Sequence, residues 1–94
     1  DLKVQLESAL ERTYLSYRNS LELVQLELQN FAVARQNVDI AFERYKIGVS
    51  TPLELREAQR NAVAAQTRLI EAEFNTKLTE IELQRLSSTI LMEK

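Results

Sequence analysis

One glycine and one proline, Gly48 and Pro52, stand four positions apart near the middle of this 94-residue chain. Neither flank contains another helix breaker, and both are rich in Leu, Ala, Glu, Gln and Arg, the residues that cost least to place in a helix. The chain therefore has one place to turn and two long stretches that can stay helical. The reading that follows is a single hairpin over residues 1–94. Its first helix runs from about 2 to 46, its turn covers 47–51, and its second helix runs from about 52 to 91. Gly48 is the left-handed stop just past the first helix. Thr51 suits the N-cap of the second, with Pro52 at the first helical position, where its missing N–H costs nothing. Glu54, three residues beyond Thr51, completes a capping box by reaching back to the cap's own N–H. Glu54 and Glu57 also place negative charge where the helix dipole favours it.

Heptad spacing marks the faces that should meet. In the first helix Leu10, Tyr17, Val24, Phe31, Val38 and Tyr45 recur every seven residues, and Tyr14, Leu21, Leu28, Arg35 and Phe42 form a second series. In the second helix the two series are Leu55, Ala62, Leu69, Thr76, Leu83 and Ile90, and Ala58, Ala65, Ala72, Thr79 and Leu86. Such paired series are coiled-coil seams. Folding at residue 50 sets Tyr45 against Leu55, Phe42 against Ala58, Val38 against Ala62 and Phe31 against Leu69. Near the turn the large residue is thus mostly on the first helix and the small one on the second, as interdigitating layers require. Val24 opposite Thr76 and Leu21 opposite Thr79 are weaker layers. Arg35, opposite Ala65, is expected to snorkel outward with Asp39 as partner. The fold class is all-α, a long antiparallel two-helix coiled-coil hairpin.

A further apolar series, Leu26, Val33, Ile40 and Ile47, lies roughly opposite the first helix's seam. The second helix adds Val63, Ile70, Phe74, Leu78 and Ile81 away from its own. Helices apolar on more than one face are normally covered on more than one face. Self-association through this second face, or packing on helices of a longer chain, is therefore expected. A helix of some 44 residues spans roughly 66 Å, which suits a spacer or the wall of a conduit.

Composition removes most chemistry. There is no histidine and no cysteine, which eliminates the commonest general base, thiolate sites and disulfides. Glu7, Glu11, Glu71, Glu73, Glu80 and Glu82 invite a metal reading, but helix-bundle di-metal sites pair glutamates with histidine. The clustered acids also fall outside the expected seam and read as a solvated face. One glycine cannot build a phosphate loop, and no Gly-x-Ser-x-Gly elbow occurs. Twelve basic and fourteen acidic residues are mixed along the chain, without the basic patch of a nucleic-acid binder. No apolar run approaches the roughly 20 residues of a membrane span, and Asp1-Leu2-Lys3-Val4 does not open a signal peptide. No enzyme, cofactor or metal is expected, and an exported parent would make this an internal piece of a larger protein.

Around the turn, Tyr45-Lys46-Ile47-Gly48, Leu53-Glu54-Leu55-Arg56-Glu57-Ala58-Gln59, then Ala65 and Leu69-Ile70-Glu71-Ala72, resemble the repeat of the outer-membrane efflux protein (TolC) family. The resemblance covers about Asn30 to Leu86. It implies a fragment of an α-helical barrel, the periplasmic tunnel of a trimeric channel in the Gram-negative outer membrane. In that family a periplasmic adaptor (membrane fusion) protein docks on the hairpin tip and links the channel to an inner-membrane pump. Carried over, Ile47, Gly48, Val49, Ser50 and Thr51 would be the adaptor-docking residues. Ending soon after Leu86 favours the C-terminal of the family's two hairpins, although Leu86-Ser87-Ser88 lacks the Leu-x-Gly step often found there. Two alternatives stay open: the coiled-coil hairpin of the adaptor itself, and a soluble coiled-coil oligomerisation module.

Overall fold

In the computed structural model, which describes residues 2–92, two α-helices carry the chain. Helix α1 spans Leu2–Lys46 and α2 spans Pro52–Met92. Among the described residues there is no strand. The chain divides into two compact units, each made of one segment from either helix.

The turn-proximal unit is Gln25–Glu71, and its two helical segments run antiparallel about the turn. Along α2 the positions withdrawn from solvent are Leu55, Ala58, Ala62, Ala65 and Leu69, both expected series without exception. Ala65 is 2% exposed and Leu69 8%. Along α1 the first expected series is half-buried at Phe31 and Val38, but Tyr45 at its end is exposed.

The second expected series on α1 is not the seam. Leu28, Arg35 and Phe42 are exposed, and the neighbouring positions Glu27, Ala34 and Ala41 are turned inward instead. The physical reason lies in size and charge. Alanines at 34 and 41 face an α2 stripe that is itself alanine-rich, so the helices can approach closely. Glu27, 8% exposed, is the buried charged residue of the described chain. Its Oε2 lies 3.3 Å from Arg68 Nε across the hairpin, and its Oε1 accepts a hydrogen bond of 2.9 Å from Asn30 Nδ2. The Arg68 guanidinium, half exposed, carries the pair's other end towards water. Arg35 does snorkel outward, but its guanidinium sits 5.9 Å over the Phe31 ring, a cation–π contact, rather than in an ion pair with Asp39.

The other unit holds the remainder of both helices, and it repeats the pattern. Leu6, Leu10, Thr13, Tyr17, Ser20 and Val24 are half-buried, whereas Tyr14 and Leu21 are exposed. On α2, Ala72 is 3% exposed, and Thr76, Thr79, Leu83, Leu86 and Ile90 are half-buried. The threonines sit in the seam without stranding their hydroxyls. Thr76 Oγ1 donates to the Ala72 carbonyl and Thr79 Oγ1 to that of Asn75, both at 2.8 Å. This back-bonding satisfies the hydroxyl within its own helix.

The core is thin: no described side chain falls below 2% exposure. The second apolar face is fully on the surface. Leu26, Val33, Ile40 and Ile47 of α1 and Val63, Ile70, Phe74, Leu78 and Ile81 of α2 are all at least half exposed.

Ala65→Leu should therefore destabilise the hairpin by about 1–3 kcal/mol through overpacking, measured by chemical denaturation followed by circular dichroism. Val63→Ala, on the exposed face, should change the same midpoint by no more than about 0.5 kcal/mol.

Candidate functional site

The turn is built by backbone hydrogen bonding. Val49 N–H donates to the Arg44 carbonyl at 3.0 Å and Gly48 N–H to the Tyr45 carbonyl at 3.1 Å. This pair of bonds is a Schellman motif, which closes the last carbonyls of a helix around a left-handed residue. Gly48 is that residue, at φ +82°. A Cβ at this position would meet no atom within 4 Å, so the demand for glycine comes from the backbone and not from crowding. The last turn of α1 carries Arg44 and Lys46, cations placed where the helix dipole favours them. Lys46 Nζ lies 3.5 Å from the Glu43 carboxylate and 5.2 Å over the Phe42 ring.

Entry into α2 is capped in one direction only. Thr51 Oγ1 accepts from the Glu54 N–H at 3.2 Å. The Glu54 carboxylate does not return to the Thr51 N–H as a full capping box would. It accepts from Ser50 Oγ at 2.5 Å, because the serine hydroxyl one residue earlier offers a donor in easier reach. Ser50, one of the residues expected to dock the adaptor, is thus half-buried and bonded into the turn.

Of the five tip residues, Gly48 and Thr51 have structural roles and Ser50 ties the cap. Ile47 and Val49 remain free to touch something else, 72% and 59% exposed, and Leu53 joins them at 61%. Leu53 belongs to this apolar cap although it lies beyond the five residues expected at the tip. Its apolar character next to Pro52 was the available signal. The turn thus presents three apolar side chains on a backbone fixed by hydrogen bonds.

Among the described residues no group of acids is placed to hold a metal ion, and no buried side-chain polar atom lacks a partner. The grooves along the two helices are shallow and open. Of the clustered acids, Glu80 lies 3.8 Å from Lys77 Nζ, and Glu82 accepts from Arg85 Nε at 3.2 Å, one turn along. That hydrogen bond, with the added charge attraction, holds the Glu82 carboxyl below its ordinary value and the Arg85 guanidinium above its own. Among the described residues no helix is long and apolar enough to cross a membrane.

Comparison with protein families matches residues 3–89 to the outer membrane efflux protein family. The chain belongs to that family. Its members are transport channels of the Gram-negative outer membrane, not enzymes. No curated protein and no solved structure matches the chain. The family match covers nearly all of both helices and the turn.

Two outcomes follow for an efflux-channel hairpin built this way. Gly48→Ala should cost about 1–2 kcal/mol of stability, from the left-handed backbone alone, and Thr51→Ala about 1 kcal/mol, from the lost cap; denaturant midpoints read both. Arg85→Ala should raise the Glu82 titration back towards an ordinary carboxylate, read by NMR. A carboxyl depressed on folding adds stability above its unfolded value and loses it as pH falls through the folded one. The slight acid sensitivity from this pair should therefore vanish in Arg85→Ala.

Proposed function

We propose that this chain is a stretch of wall in the periplasmic α-helical tunnel of a trimeric outer-membrane efflux channel, and that its turn docks a periplasmic adaptor protein. The observation that carries the first half is the pair of uncovered apolar faces on α1 and α2. A two-helix hairpin leaves them wet, and apolar surface of that extent marks contact with further helices. Neighbouring hairpins of the same channel, whether from the same chain or from other protomers, supply that cover. The function is then passive: the helices form and seal a duct, and no substrate bond is made or broken. Membership of the efflux protein family favours this reading over the adaptor's own hairpin and over a soluble oligomerisation module.

The second half rests on the turn. Ile47, Val49 and Leu53 are exposed together, and the Schellman motif holds the backbone that presents them. Ser50 and Thr51 are engaged in capping, so on this reading they shape the docking surface more than they touch the adaptor. Through the adaptor the channel is coupled to an inner-membrane pump.

The test uses the full-length channel with Ile47→Glu and Val49→Glu, both on exposed side chains that the fold does not need. Gly48→Leu is less clean, since the strained backbone would disturb the turn itself. The glutamate variants should keep helical content and assembly while adaptor co-purification falls at least about tenfold, as for loss of an apolar hot spot. Efflux should fall with it. Full adaptor binding and efflux in both variants would remove the docking role and leave the wall role standing.

A further inference from the structure

Helix α1 carries two apolar or small stripes side by side, and either could serve as the inner half of the seam. One is Glu27, Ala34 and Ala41, which the structure turns inward; the other is Leu28, Arg35 and Phe42, which it leaves exposed. They lie one residue position apart, about 100° around the helix axis. The Phe31 and Val38 series belongs to both settings. Apolar area alone favours the exposed stripe, since Leu28 and Phe42 are larger than two alanines. What opposes it is charge. In the observed setting Arg35 lies outside, stacked over Phe31, and Glu27 lies inside, paired with Arg68 and bonded to Asn30.

The pairing is specific to one place. In the heptad series of Glu27 the other residues are Leu6, Thr13, Ser20, Ala34 and Ala41, none acidic. In the series of Arg68 the others are Glu54, Asn61, Asn75, Glu82 and Thr89, none basic. Each helix thus offers a single charge that can complement the other at this level. We propose that the Glu27–Arg68 ion pair is a rotational latch of the turn-proximal unit. It selects which stripe of α1 faces α2, and so which stripe is presented outward. Without Arg68, an unpaired carboxylate inside the seam is strongly unfavourable. Turning α1 by about half of the angle that separates the stripes, with the Phe31–Val38 series kept in the seam, returns Glu27 to water and brings the Leu28–Phe42 stripe inward. The latch depends on the hairpin alone and not on adaptor docking or on the duct.

The absence of cysteine from this chain makes engineered disulfides a direct readout in the full-length protein. Ala34→Cys with Ala65→Cys reports the observed setting, and Arg35→Cys with Ala65→Cys the rotated one. Each pair is compared between backgrounds, so the loss of Arg35 from the second pair cancels. With Arg68 intact the first link should dominate. In Arg68→Ala the ratio of the two links, read by mass spectrometry after mild oxidation, should shift at least about tenfold towards the second. Adding Glu27→Met to Arg68→Ala removes the stranded charge at similar volume and should restore the first link. An unchanged ratio in Arg68→Ala, loss of both links there, or failure of Glu27→Met to restore the first would each overturn the latch.

Discussion

A helix that must reverse within five residues has to discharge its last carbonyls into the turn and bring the chain back without a side-chain collision. Gly48 at φ +82° solves both conditions at once, because the left-handed residue swings the Gly48 and Val49 N–H groups onto the carbonyls of Tyr45 and Arg44. Everything in the turn-proximal unit is placed by that reversal. Ser50 and Thr51 come next and are consumed in starting α2, and Pro52 can then open it without a donor to satisfy. With both helices this close to one another, small residues are favoured in the seam beyond the turn. Ala41 on one side and Ala58 and Ala62 on the other supply them.

From this geometry comes a division between inside and outside that is unusual for a domain of this size. The inner seam is poor in large apolar groups, and the most buried hydrophobic residues are Ala65, Ala72 and Leu69. The outer faces carry Leu26, Val33, Ile40, Ile70 and Phe74. Small domains ordinarily spend their large side chains on their own core. A hairpin that places them outside is stabilised mainly by whatever packs there, which fits an efflux-channel component better than a free-standing unit.

The sequence alone yields much of this, and the exceptions have physical causes. Helix boundaries, the left-handed glycine and both seam series of α2 are legible because each depends on local rules: breaker positions, capping residues and heptad spacing. On α2 the seam residues are alanine, leucine and threonine, with no competing stripe next to them. On α1 the neighbouring stripe is more hydrophobic than the true one, and a reading weighted by apolar size moves to Leu28 and Phe42. Choosing correctly requires knowing that Glu27 meets Arg68, a tertiary fact with no local signature. The same holds at Ser50, whose hydroxyl diverts Glu54 from the reciprocal capping bond. The candidate tip is readable as a turn, but the division of labour within it, with Ile47 and Val49 free and Ser50 and Thr51 engaged, emerges only from the hydrogen bonds.

The choice of stripe on α1 also bears on how a wall of such hairpins holds together. Had α1 buried Leu28 and Phe42, Glu27 would lie on the surface and the outward face would lose part of its apolar breadth. In the observed setting Tyr14, Leu21, Leu28 and Phe42 add to the series of Leu26, Val33 and Ile40, so the apolar surface of α1 wraps around much of the helix. A helix packed against neighbours on two flanks needs that breadth, whereas a helix packed only on its own partner does not. The buried carboxylate thus costs desolvation inside the hairpin, and its pairing with Arg68 offsets that cost. The gain appears on the outside, where large apolar side chains are left for other helices to cover.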